Sequence, residues 1–244
     1  MSARIPCMML AIAMMACSPA EDKENAGMEK NVVFLEDFSN SEEGAIPAGW
    51  WVEGGERVAV EDGRLRMVAN PKGKHQPGYV CTAWSKQAFS GNLQVEFDAC
   101  VLASTTDANN INLFLLYSDP AGNPLHETRE SRADAAYKYY HDLNGYIFTF
   151  LNDFRNEGGK NSARMRMRRC PGFQLMTETF DYHCQKDVIY HVTITIKDGR
   201  ITLAVDGKIY LEGQDDHPWT EGLIGLRTFQ TDLWWDHIKV TQVK

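Results

Sequence analysis

From Val32 onward, apolar and polar residues alternate in short runs separated by turn residues. VVFLEDF, RVAVEDGRLRMVA, YVCTAW, NLQVEFDACVL, INLFLLYS, GYIFTFLN, HVTITIKDGRITLAVDGKIYLEG and GLIGLRTF follow one another. Period two is the signature of strands with one face buried. Asp62-Gly63, Asp198-Gly199 and Asp206-Gly207 each separate two such runs. Asp-Gly tolerates the positive φ that a type I′ hairpin turn requires, so these dipeptides predict antiparallel hairpins. Helical periodicity is poor, and only residues 131–141 suit a short helix. The pattern predicts an all-β sandwich of two antiparallel sheets. Neither an internal repeat nor a shift in composition divides the chain, so one domain over residues 31–244 is expected.

The start of the chain differs. Arg4 supplies a positive charge, and Cys7 to Ala16 is an apolar run of ten, too short to cross a bilayer as a helix. The run closes on Met14-Met15-Ala16-Cys17, which resembles a bacterial lipobox. Residues 1–17 are therefore expected to be a lipoprotein signal peptide, with Cys17 acylated and joining the protein to a bacterial membrane. Residues 18–30 are polar and read as a tether. The expected location is exported: outer membrane lipoprotein, periplasmic or cell surface.

The 244 residues are 43% hydrophobic and 24% charged, which excludes a wholly disordered chain. The net charge is −8, and the only charge among the first 17 residues is Arg4. So acidic a surface repels polyphosphate, and no nucleic-acid partner is expected. Beyond the leader stand Cys81, Cys100, Cys170 and Cys184. An exported protein sits where disulfides persist. A Cys170–Cys184 bridge closing a short loop is the expected pair, with Cys81 and Cys100 either a second pair or two buried thiols.

The stretch from Tyr190 to Leu211 and the ending GLIGLRTFQTDLWWDHIKV resemble the concanavalin A-like lectin/glucanase superfamily. WSKQAFSGNLQVEFD, LNGYIFTFLNDFRN, RMRRCPGFQLM and the ending together resemble the YesU-like family of bacterial proteins, over residues 32–243. The resemblance implies a concanavalin A-like jelly-roll β-sandwich and a place in glycan metabolism. The paired acidic ExDxxE motif of the glucanases is missing from the sequence.

The most unusual chemistry lies in KNSARMRMRR, which begins at Lys160. Five basic side chains and no acid lie between Gly158 and Thr177. On a strand, Arg164, Arg166 and Arg168 share one face and Met165 and Met167 the other. Such a row suits the carboxylate or sulfate of a glycan, because arginine binds carboxylate bidentately and keeps its charge. The alternative is a solvated face paired with carboxylates such as Glu96 and Asp98. Just upstream, Tyr139, His141, Asn144 and Tyr146 supply groups for proton transfer. Elimination from a uronate needs a base, an acid and a neutraliser of the carboxylate. His141 and Tyr146 are candidates for base and acid, with Arg168 beside them. Arg164, Arg166, Asn144 and Tyr139 are candidates for substrate binding. Glu96 and Asp98, at i and i+2 on one strand, are substrate-binding candidates or a hydrolytic carboxylate pair. Trp84 and Trp51 are the indoles chosen to stack on sugar at a groove. The histidines show no spacing diagnostic of a transition metal. No cofactor is expected; a structural calcium would draw oxygens from loops such as 119–123.

The sequence thus predicts an exported carbohydrate-active protein acting on an acidic, uronate-containing polysaccharide or oligosaccharide, first as a polysaccharide lyase working by β-elimination. The alternatives are a non-catalytic surface glycan-binding protein and a glycoside hydrolase with a carboxylate pair.

Overall fold

The computed structural model describes residues 31–70, 77–105, 109–151, 163–182 and 184–244. Residues 1–30, Cys17 among them, lie outside this set, as do Lys160 and the histidines at 75 and 183. Among the described residues no helix is long and apolar enough to cross a membrane.

Among the described residues fifteen strands form two antiparallel sheets. The first runs β13 (Lys208–Gln214), β12 (Arg200–Val205), β11 (Ile189–Lys197), β6 (Leu93–Ser104), β15 (Thr231–Gln242), β4 (Arg64–Val68) and β3 (Arg57–Glu61), with β1 (Val32–Glu36) paired to the far end of β15. The second runs β10 (Gln174–Thr179), β9 (Arg164–Cys170), β8 (Asn144–Leu151), β7 (Asn109–Ser118), β14 (Glu221–Phe229), β5 (Val80–Ser90) and β2 (Trp50–Gly54). The protein is an all-β jelly-roll sandwich, as the alternation predicts. The three Asp-Gly pairs make two-residue turns, with φ of 50° and 69° at Asp62 and Gly63, 50° and 79° at Asp198 and Gly199, and 49° and 78° at Asp206 and Gly207. The 131–141 region holds two single 3-10 turns, Arg129–Arg132 and Tyr137–Tyr140, rather than an α-helix.

Every second side chain of each sheet enters the core between the layers. Val95, Phe97, Ile194, Leu203 and Trp235 meet Leu113, Phe148, Met165, Met167 and Leu226 there, all fully buried. A second apolar layer lies on the outer face of the second sheet. Trp51, Trp84, Phe114, Ile147 and Cys170 project outward, and the β7–β8 connection (residues 119–143) covers them with Leu125, Ala135, Tyr140 and Leu143. Burying an indole such as Trp84 stabilises by roughly 4–6 kcal/mol at ~25 cal/mol per Å².

This outer layer corrects two expectations. Trp84 is not at a groove: its side chain is fully buried, and its Nε1 donates to Glu53 Oε2 at 2.9 Å. The connection that covers it is what removes it from solvent. The Cys170–Cys184 bridge is also absent. Cys170 belongs to the outer layer and Cys184 to the inter-sheet core, so a sheet separates them. All four cysteines are buried free thiols.

Candidate functional site

The outer face of the second sheet carries two parallel rows set by strand register. One row reads Arg166, Thr149, Asn112, Arg227, Thr82, Glu53 across six strands. The next reads Arg168, Ile147, Phe114, Gly225, Trp84, Trp51. A polar row through the middle of a sheet is expensive unless every group is satisfied. At one end Glu53 accepts from Arg132 Nε at 2.9 Å, from Tyr140 Oη at 2.6 Å and from Trp84 Nε1 at 2.9 Å. Burial still pushes the Glu53 carboxyl above its ordinary range, against these three donors. In the middle, Arg227 is 2% exposed, donates from Nη1 to Thr82 Oγ1 at 2.7 Å, and makes no ion pair among the described residues. Its guanidinium instead lies 4.8 Å from the Tyr140 ring, 5.0 Å from Tyr137 and 5.5 Å from Phe114.

At the arginine end the face opens. Met165 and Met167 are buried in the core, while Arg164, Arg166 and Arg168 stand partly exposed on the other side of β9. Arg166 Nε bonds Glu178 Oε2 at 3.2 Å, and Arg164 reaches the same oxygen at 3.8 Å. The row is thus partly answered, but by Glu178 of the adjacent β10. Glu96 and Asp98 are not its partners. They lie on the first sheet's outer face, where Glu96 pairs with Lys239 at 2.8 Å and Asp98 takes His191 at 2.7 Å and His237 at 3.0 Å. Their strand sits in the opposite layer, and their alternation with Val95 and Phe97 points them away from the core.

Arg168 leads to the histidine. Its Nη1 donates to the Phe173 carbonyl at 3.0 Å and its guanidinium lies 4.1 Å over the Phe173 ring. His141 stacks on that ring at 3.8 Å, with Tyr137 edge-on to the imidazole at 4.9 Å. The turn after β9 is tied to this point by the Gly172 N–H, which donates to the His141 carbonyl at 2.9 Å. His141 Nε2 is removed from solvent and has no hydrogen-bond partner among the described residues. Burial, then the charges of Arg227 and Arg168, push the imidazole below its ordinary pKa, with Asp142 opposing. Tyr137 moves the other way: burial raises its phenol, against Thr149, Arg227 and Arg168. The neutral imidazole therefore packs against the ring of a protonated tyrosine, and the two residue types are those suited to transfer from carbon and to a leaving oxygen.

The structure brings His141 and Arg168 together, with Arg164 and Arg166 on the same strand. Tyr146 is a correction. It faces the inter-sheet core, where its hydroxyl donates to Asp215 Oδ2 at 2.7 Å and accepts the Trp219 N–H at 3.1 Å. One residue of strand parity separates it from the site, and Tyr137 occupies the place beside the imidazole. Asn144 Nδ2 donates to Ser118 Oγ at 3.2 Å at the end of β8. Tyr139 lies on the far side of the covering connection, in a hollow with Arg132, Lys138 and Asp142. Sequence reasoning missed Arg227. Its signal was parity: in GLIGLRTF it alternates with Ile224 and Leu226, so it leaves the core face.

The 119–123 loop closes on itself. Asp119 Oδ1 accepts the Ala121 N–H at 2.8 Å and Oδ2 accepts Asn123 Nδ2 at 3.0 Å. Among the described residues no three His, Cys, Asp or Glu side chains gather as a metal site.

The family model of DUF6250, a domain of unknown function, matches residues 76–241. The chain belongs to the DUF6250 family. The match includes β5 to β15 and hence His141, Tyr137, Arg227 and the arginine row. No curated protein matches the sequence. Among solved structures, a Bacillus subtilis protein of unknown function with a galectin-like fold is 18% identical, at TM-score 0.69, covering 87% of this chain and 96% of that one. The carbohydrate binding module CBM66 from Bacillus subtilis is 14% identical at TM-score 0.55, covering 80% and 96%. A structure reported with the endo-acting O-glycanases of the human gut microbiota is 12% identical at 0.59, covering 88% and 100%. These likenesses concern the fold alone: this DUF6250 member shares the galectin-like sandwich architecture.

Proposed function

We propose that this protein is an exported carbohydrate-active protein that takes an acidic glycan on the outer face of its second sheet and cleaves it by β-elimination. The observation that carries the reading is His141, kept neutral beside Arg168 and Arg227, with an unbonded Nε2 and the Tyr137 ring against it. In this reading Arg166 and Arg168 hold the uronate carboxylate, which stabilises the carbanion-like transition state at C5. His141 Nε2 takes the C5 proton once the sugar displaces the contacts that close it off from solvent. The freed electron pair forms the C4–C5 double bond, the C4–O bond breaks, and the Tyr137 hydroxyl protonates the departing oxygen. Fold neighbours described as carbohydrate-binding or glycan-cleaving support a glycan ligand. Kinship with the YesU-like proteins and acylation at Cys17 belong to the same proposal, resting on the sequence motifs.

The test is ultraviolet absorbance of the unsaturated product on a mixed panel of uronate glycans. Product formed by the wild type and lost in His141→Ala supports the reading. A second reading, glycan binding without cleavage, is favoured by the connection that covers the aromatic row of this face. Binding of uronate glycans with no unsaturated product would select it. Hydrolysis through Glu96 and Asp98 has no support, since both carboxylates are held by basic side chains on the opposite layer.

A further inference from the structure

At the other end of the aromatic row lies a groove of about 810 Å³, within the ~300–1,000 Å³ range of small-ligand sites. One wall is β5 and β14, with Lys86 and Glu221; the other is the loop after β7, with Asp119, Asn123 and His126. Trp51 lines its floor, stacked on Trp84 at 5.9 Å and met edge-on by His126 at 5.4 Å. The loop wall is fixed at both levels. Asp119 closes its tip through Ala121 and Asn123. Arg132 holds its base, donating from Nη2 to the Leu125 carbonyl at 2.6 Å and from Nη1 to Thr128 Oγ1 at 2.9 Å. A preformed wall lowers the ordering cost of binding.

The charge here differs from that of the arginine end. Two carboxylates and one ammonium line the groove, so an anionic group meets repulsion, while a polyhydroxyl ring meets both donors and acceptors. Trp51 and Arg168 stand on the first and last of six strands of one register row, five spacings or about 24 Å apart at ~4.8 Å per strand. A glycan several residues long spans that distance by passing over the connection that covers Trp84, Phe114 and Ile147 in the middle of the row.

We propose that this groove is a second carbohydrate subsite that takes an uncharged pyranose residue. The inference rests on the glycan reading above and adds that the ligand is a heteroglycan, with its acidic residue at the arginine end and a neutral one beside Trp51. The test uses the full chain and saturation-transfer NMR with the methyl glycosides of glucose, galactose, mannose and N-acetylglucosamine, and with glucuronate as competitor. At least one neutral glycoside binds. Its affinity falls about 10-fold or more in Asn123→Ala and in His126→Ala, at unchanged melting temperature, because both side chains are exposed. Glucuronate does not displace it. Binding of no neutral glycoside, binding unchanged in both variants, or displacement by glucuronate would overturn the subsite. The two proposals fail separately. If the wild type forms no unsaturated product but binds a neutral glycoside sensitive to both substitutions, elimination falls and the subsite stands. If elimination proceeds with KM unchanged in both variants and no neutral glycoside binds, the subsite falls and elimination stands.

Discussion

Arg132 Nε lies 2.9 Å from Glu53 Oε1, with the two side chains only 4% and 1% exposed, and this pair fastens the β7–β8 connection to the outer face of the second sheet. Desolvating both ions is costly, so the pair is best understood by what its loss leaves behind. Arg132→Met strands a carboxylate already pushed toward its neutral form and releases the Leu125 carbonyl. A stability loss of about 3–5 kcal/mol is expected. That corresponds to a melting temperature lower by roughly 6–20 °C in a domain of this size. The double variant Arg132→Met/Glu53→Gln should recover part of the loss, since it removes the orphan charge. Thermal melts of the three proteins decide it; a double variant no better than the single one would show that the pair matters as shape and not as charge.

His141 yields a pH prediction with a definite sign. Its pKa is lowered in the folded protein by burial, Arg227 and Arg168. Between that lowered value and the ordinary ~6.5, the unfolded chain binds more protons than the folded one. This group's contribution to stability is therefore lost as pH falls through that window, and its base form persists below the ordinary histidine range. NMR titration of the imidazole should find its midpoint below that of a free histidine. In Arg227→Met the midpoint should rise. A midpoint unmoved by that substitution would take Arg227 out of the electrostatics of the site.

The hairpins and the face assignment of β9 were legible because both depend on local rules. Asp-Gly fixes a turn within two residues, and strand parity sends Arg166 and Met167 to opposite sides whatever the neighbours are. The sheet order was not legible, and with it went every judgement about which carboxylate answers which arginine. Glu96 was a plausible partner for Arg166 until β6 and β9 proved to lie in different layers. Tyr146 shares the parity of Phe148 and Phe150, which by itself sends it into the inter-sheet core; Trp84 is a different case. Alternation tells which face a side chain takes, but not that the outer face acquires its own cover from residues 119–143. Tyr137 and Tyr146 are nine residues apart, and only the three-dimensional path of the chain selects the one that meets His141.

Gly225 illustrates a constraint of the covered face. It stands opposite Trp84 across β14 and β5, and a β-carbon there would come within 2.7 Å of the indole. The indole cannot retreat, because Phe114, Tyr117 and Tyr140 surround it at centroid distances of 5.5–6.0 Å. Gly225→Ala should cost about 1–3 kcal/mol as overpacking. Tryptophan fluorescence should report a shifted Trp84 environment alongside the lowered melting temperature. An unchanged melt would mean that the aromatic layer yields more easily than its packing suggests.

The arginine row supports a prediction in which binding and stability separate. Among the described residues Arg166 and Arg164 share the single carboxylate of Glu178, which leaves the row with net positive charge on a partly exposed face. Pairs of this kind contribute roughly 0–1 kcal/mol to folding, and Arg166→Ala should leave the melting temperature nearly unchanged. A ligand carboxylate bound by the same guanidinium gains about 1.5–3 kcal/mol from a charge-assisted bond. Losing it weakens binding of uronate oligosaccharides about 10-fold or more, at ~1.4 kcal/mol per decade. Glu178→Gln should act in the opposite direction, because it removes the carboxylate that competes with the ligand for both arginines. Calorimetric titration of an acidic and a neutral oligosaccharide into all three proteins checks the pattern. The acidic ligand should weaken with Arg166→Ala and tighten with Glu178→Gln, and the neutral one should respond to neither. Equal affinity of the acidic ligand across the three would remove the row from recognition and leave Glu178 as its structural counter-ion.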